Sequence, residues 1–162
     1  MKSIIEIVSR LSSSQQQTEK EIGFGGVLDI RCTRLNHKLC KWLIQNFDTR
    51  YCSLNVHGYQ FFLIAEHIGD ILGIHCKGCE VDFTGSLEKY PKLLEQLGAI
   101  NGAIPLKGLR EYLHETRDVG DEFKRKFALY ILGALLCPTT KPSLKLEFVY
   151  AVKNVHIMGN CN

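Results

Sequence analysis

The chain has 162 residues and a mass of 18.4 kDa, the size of one domain. It can bury ~70% of its unfolded surface without help from disulfides or metals. Apolar residues make up 45% and charged residues 23%, the globular average, which excludes a disordered tail, a collagen-like fibre and a simple coiled coil. Twenty basic against seventeen acidic residues leave a net charge of +3, too small to argue for nucleic acid on charge alone.

Residues 1–22 read as a polar N-terminal helical segment, rich in Ser and Gln over Ser12–Gln17. Glu6 interrupts the apolar stretch at the start and Arg10 closes it, so the pattern is not that of a signal peptide. A short helix is predicted through Gln15–Ile22, capped by a serine and stopped by Gly23. Residues 23–162 read as one helical domain. Gly23–Gly26 is a turn. Val27–Cys32 alternates, with Leu28, Ile30 and Cys32 on one side, and predicts a half-buried strand.

Leu35–Phe47 predicts an amphipathic helix. Leu35, Leu39, Trp42, Leu43 and Phe47 share the arc expected to face the core, opposite His37, Lys38, Lys41 and Gln45. Cys52–Val56 and Gln60–Ile64 flank His57-Gly58-Tyr59 and predict a tight β-hairpin. Ile64, Ile68, Ile71 and Leu72 then mark a helix ending at Gly73, although Gly69 inside it costs ~1 kcal/mol. His75–Thr84 is loop.

Ser86 opens a short helix with Pro91 in its first turns, and Gly98 ends it. Pro105 opens a helix through Leu106, Leu109 and Leu113 to about Val119. Asp121 caps a central helix carrying Phe123, Phe127, Tyr130, Ile131, Ala134 and Leu135, which Cys137-Pro138 terminates. Its apolar run, Phe127–Cys137, is eleven residues, too short for the ~20 a membrane span requires. A last helix is predicted over Ser143–Val152. The expected fold is mainly α: a helical domain with one β-hairpin and a third short strand at Val27–Cys32.

Reactive chemistry is sparse. Gly23-Phe-Gly-Gly leads into a strand, with no Gly-Lys-Ser/Thr, so a turn outweighs a nucleotide site. No Gly-x-Ser-x-Gly and no paired-carboxylate motif occurs. No catalytic, cofactor-binding or metal-ligating residue is therefore assigned, and no enzyme activity or small-molecule substrate is expected. Cys76 and Cys79 form half of a zinc site on a loop, without a second Cys/His pair at short spacing, which makes a zinc or thiol site a distant third reading. Seven cysteines cannot pair completely. Cys32, Cys40 and Cys137 lie in apolar patterns as small buried hydrophobes, and a reducing compartment, nucleus or cytoplasm, follows.

Two basic groups are candidates for a phosphate-binding or partner-binding surface: Arg31, Arg34, Lys38 and Lys41, and then Lys124, Arg125 and Lys126. Neither is a run of five like charges, so solvated helix faces compete with that reading. Trp42, on the apolar arc, fits core packing better than base stacking.

Taken together, Ile22–Cys32, Leu39–Asp48, the hairpin Leu54–Tyr59, Ile68–Ile74, Gly120–Arg125 and Ala134–Thr140 resemble the plant mobile domain family over about residues 20–160. These are aminotransferase-like, transposon-associated regions, often upstream of a Ulp1-like cysteine protease domain. The resemblance implies a transposon-derived plant protein in nuclear or silencing complexes, working as a non-enzymatic interaction module. It transfers no protease activity, because the only tryptophan, Trp42, follows Lys41 and not a histidine. The chain stops at Asn162 where relatives continue into another helix, which implies a truncated copy, a short gene product or a fragment. The alternative function is nucleic-acid binding by the basic helix faces.

Overall fold

A computed structural model describes residues 2–32, 34–74, 80–81, 84–138 and 140–160. It is mainly α with a minor β part: eight α-helices and two small antiparallel sheets among the described residues. The first helix, α1 (Lys2–Arg10), lies within the segment expected to be helical but ahead of the one helix placed there. Its signal is nevertheless present, since Ile4, Ile7, Val8 and Leu11 recur at helical spacing and are buried. Helix α2 (Ser13–Glu21) begins with a capping box. Ser12 Oγ accepts from the Gln15 amide while the Ser12 amide donates to Gln15 Oε1, satisfying two orphan donors at once. The buried Gln15 side chain also donates to the carbonyls of Thr116 and Asp118.

The expected strand at Val27–Cys32 is absent. Gly25–Asp29 forms a 3-10 turn that buries the adjacent residues Val27 and Leu28 and leaves Cys32 exposed. The Val27 amide donates to the Phe24 carbonyl and the Ile30 amide to the Val27 carbonyl. These local bonds take the groups that a strand would present to a neighbour.

Next come α3 (His37–Asn46), β1 (Phe47–Asp48), β2 (Ser53–Val56), β3 (Tyr59–Phe62) and α4 (Ala65–Leu72). The sheet order is β1-β2-β3, so the third strand of the expected hairpin is β1. The remainder is α5 (Pro91–Gln96), β4 (Ala103–Pro105), α6 (Leu106–Glu115), α7 (Asp121–Ile131), β5 (Ser143–Lys145) and α8 (Val149–Val152). Gly120, not Asp121, caps α7, which continues into a π-helical turn over Leu132–Leu136. The predicted last helix starts as a strand, because Ser143–Lys145 pairs antiparallel with Ala103–Pro105. Only Val149–Val152 of that helix is α-helical.

The core gathers around α7. Phe123 and Phe127 are fully buried with ring centroids 6.0 Å apart, and Phe24 meets Phe127 edge-on at 6.3 Å. Ile4 and Ile7 from α1, Leu109 and Leu113 from α6, Leu144 from β5, and Val149 and Val152 from α8 complete it. Each such fully buried side chain contributes about 1.5–3 kcal/mol. Among the described residues, none of 31–73 belongs to this core or packs against it as a half-buried hydrophobe. The buried-cysteine expectation is also corrected: Cys32 and Cys137 are exposed and Cys40 is half-buried. Cys137 lies beyond the end of the buried helix, where the chain turns out to Pro138.

Candidate functional site

The segment 35–72 stands outside the core and carries most of the exposed large apolar side chains. Helix α3 starts with Asn36 Oδ1 accepting from the Leu39 amide at 3.1 Å. Its charged residues, Lys38 and Lys41, are both cations. The arc expected to be core is only partly covered, and not by the core. Leu35 and Leu39 are about half exposed, and Trp42, Leu43 and Phe47 keep 36–38% of their surface in solvent. Amphipathic spacing defines an apolar stripe but not what lies against it. Ile44, on no predicted arc, is 76% exposed.

After α3, Arg50 closes a turn on Asp48, donating from its amide at 2.8 Å and from Nη2 at 3.0 Å. That side-chain hydrogen bond holds the Asp48 carboxyl below the usual carboxylate range. In the hairpin, His57 (φ 50°) and Gly58 (φ 85°) both take positive φ, the requirement of a two-residue type I′ turn. Asn55 Oδ1 accepts from the Gly58 amide at 3.1 Å.

Directly opposite residues in an antiparallel pair share a face. Phe47 faces Leu54, Leu54 faces Phe61, and Val56 faces Tyr59. One side of the sheet is therefore an apolar rung, Phe47–Leu54–Phe61, with Val56 and Tyr59 beside it. His67 of α4 stacks on Phe61 with centroids 5.5 Å apart. The other side carries Ser53, Gln60 and Phe62, where Gln60 Nε2 donates to Ser53 Oγ at 2.9 Å. Tyr59 is 81% exposed, and Phe61 and Phe62 are about half exposed.

Helix α4 ends at Gly73, in the left-handed conformation at φ 61°. Gly73 and the Leu72 carbonyl sit against Gly26. A Cβ on Gly26 would lie 1.9 Å from the Leu72 oxygen and 2.5 Å from Gly73 Cα. This glycine-on-glycine contact is one place where the 35–72 segment meets the helical part.

The two basic groups have different surroundings. Arg31 donates to the Leu28 carbonyl at 2.6 Å and approaches Asp29 at 3.9 Å. Arg34, Lys38 and Lys41 are exposed and enter no ion pair among the described residues. On α7, Lys124 acts on the buried carboxyl of Glu19 through its charge alone. Arg125 donates to the Val152 carbonyl and to Asp121. Lys126 donates to Glu122 at 2.6 Å and sits 3.9 Å from the centre of the Tyr112 ring, and its hydrogen bond lowers the Glu122 carboxyl below the usual range. Cys76 and Cys79 lie outside the described residues. Among the described residues, no group of three His, Cys, Asp or Glu is arranged to hold a metal, and no helix is long and apolar enough to cross a membrane.

A family model described as a domain of unknown function, DUF8566, matches residues 1–162. The chain belongs to the DUF8566 family. No curated protein and no solved structure matches it. The family match overturns the resemblance to the plant mobile domain, and the transposon-derived plant origin that it implied is left without support. Segments such as Ile22–Cys32 and Leu39–Asp48 are short apolar and glycine-containing strings, which any helix–hairpin–helix supplies, so they carry order without specificity. What distinguishes this DUF8566 chain physically is the exposed α3–sheet–α4 unit. Sequence reasoning identified its residues and gave them the wrong surroundings.

Proposed function

We propose that this DUF8566 chain is a non-enzymatic protein-interaction module whose docking surface is the α3–sheet–α4 unit. The observation that supports the reading is the density of large apolar side chains left in solvent between Leu35 and Ile71. Scattered exposed hydrophobes are normal, but a concentration of this kind within one unit of the chain favours an interaction surface. Its composition fits, since tryptophan, tyrosine and phenylalanine are enriched where protein interfaces bury their centres. Lys38 and Lys41 of α3 and Glu66 and Asp70 of α4 add exposed charges to the same unit. The nucleic-acid alternative is weaker, because Arg125 and Lys126 of the second basic group are already engaged with groups of the same chain.

A photo-crosslinking residue at Ile44 or Ile71, both 76% exposed, tests this in cells, with Lys107 of α6 as the control position. A discrete protein adduct is expected from Ile44 and Ile71 and none from Lys107. The adduct should fall at least about tenfold when Trp42→Ala removes a central aromatic. Equal labelling at all three positions, or none, overturns the proposal.

A further inference from the structure

Strand β3 pairs with β2 on one side and has no strand on the other among the described residues. The Val56↔Tyr59 pair flanks a two-residue turn, and the Leu63 amide donates to the Cys52 carbonyl. Hydrogen-bonded and non-hydrogen-bonded pairs alternate in an antiparallel ladder. Tyr59, Phe61 and Leu63 therefore bond inward to β2, and the amides and carbonyls of Gln60 and Phe62 point to the open edge.

Natural edge strands are shielded by lysine, proline, a bulge or a covering element. Residues 51–65 contain no Asp, Glu, Lys, Arg or Pro. The β2–β3 register runs through four consecutive pairs without a bulge, and all four residues of β3 are exposed.

We propose that β3 is a self-association edge: two copies of this chain join β3 to β3 antiparallel, making one six-stranded sheet. The inference rests on the docking role given above to the α3–sheet–α4 unit and specifies its occupant as a second copy. Charge favours a copy over a strongly charged partner. Residues 35–72 hold three cations (Lys38, Lys41, Arg50) and three anions (Asp48, Glu66, Asp70). The unit is neutral within a chain of net +3, so two such units meet without net repulsion.

Symmetry then selects a register. With Phe61 on the two-fold axis, Gln60 of each copy faces Phe62 of the other, and all four outward backbone groups of each β3 are paired. Phe61 meets its own copy as a non-hydrogen-bonded pair, the closer kind, at about 4.5 Å between Cα atoms. Such an interface is isologous and closes at two copies.

The test needs no other partner: molar mass by light scattering and sedimentation velocity across a concentration series. Wild type is expected to dimerise. Gln60→Pro removes an outward donor and leaves every β2–β3 backbone bond in place, and Gln60→Lys keeps the backbone and adds the usual edge guard. Both lose the Gln60 Nε2–Ser53 Oγ side-chain bond, so Ser53→Ala, which removes that bond alone, serves as the control and is expected to dimerise as wild type does. Both Gln60 variants are expected to weaken dimerisation about tenfold or more, with unchanged circular dichroism. Under mild oxidation Phe61→Cys is expected to give a disulfide between identical peptides, because the Cα spacing suits one, whereas Tyr59→Cys is not. A wild-type chain that stays monomeric at high concentration overturns the self-pairing. So does a dimer that both Gln60 variants leave unchanged. The crosslinks at Ile44 and Ile71 then still decide the docking role separately, by whether they capture a different protein.

Discussion

Glu19, near the end of α2, is fully buried, and neither carboxylate oxygen has a hydrogen-bond partner. Burial pushes its carboxyl up to about 10, and Lys124 opposes only part of that. The folded chain therefore carries Glu19 protonated at neutral pH, while the unfolded chain releases that proton near the ordinary value of 4.5. This contribution to stability is complete below pH 4.5 and is lost as pH rises toward 10, by ~1.4 kcal/mol per unit. Glu19→Gln keeps the shape and has no proton to lose. Urea midpoints of the two proteins are expected to diverge steadily from pH 6 to pH 9, with the variant gaining. Parallel curves would show that the carboxyl is solvated. Nothing in the sequence distinguishes Glu19 from Glu21, two positions on. Only the packing of α2 against its neighbours assigns one to the interior and the other to solvent.

At the scale of elements, local chemistry was legible and long-range pairing was not. The hairpin, the Gly73 stop and the central α7 follow from turn residues and helical spacing. The strand expected at Val27–Cys32 fails because alternation over six residues needs a neighbouring strand, and a 3-10 turn satisfies the same amides locally. Conversely, β4 and β5 are three residues each and lie far apart in sequence, so no local pattern announces their pairing. The contact of Gly26 with Leu72 and Gly73 is of the same long-range kind. Gly26→Ala would place a methyl inside the Leu72 carbonyl, and backbone has little room to yield. The expected cost is about 1–3 kcal/mol, with hydrogen exchange accelerating first in α4 and β3 and not in α7. Uniform acceleration along the chain would mean that this contact does not hold the 35–72 segment in particular.

Across the molecule, two kinds of apolar residue coexist. Phe127 is fully buried, whereas Ile44 and Ile71 are 76% exposed. Phe127→Ala is expected to cost about 3–5 kcal/mol. Ile44→Glu combined with Ile71→Glu should stay within about 0.5 kcal/mol of wild type while abolishing any adduct formed through Trp42 and its neighbours. Thermal and urea denaturation of the three proteins separates the classes. A large loss from the double variant would mean that these side chains pack internally.

The amino-acid order alone was enough for the mainly helical class, the hairpin, and an apolar stripe on each of the two helices around it. Periodicity and turn stereochemistry are local properties, written in neighbouring residues. It did not settle whether a stripe meets the protein's own interior or solvent, which of two nearby glutamates is stripped of water, or that Arg125 and Lys126 find partners within the chain. Those outcomes depend on which distant segments share space, and burial, desolvation and ion pairing arise only once that sharing exists.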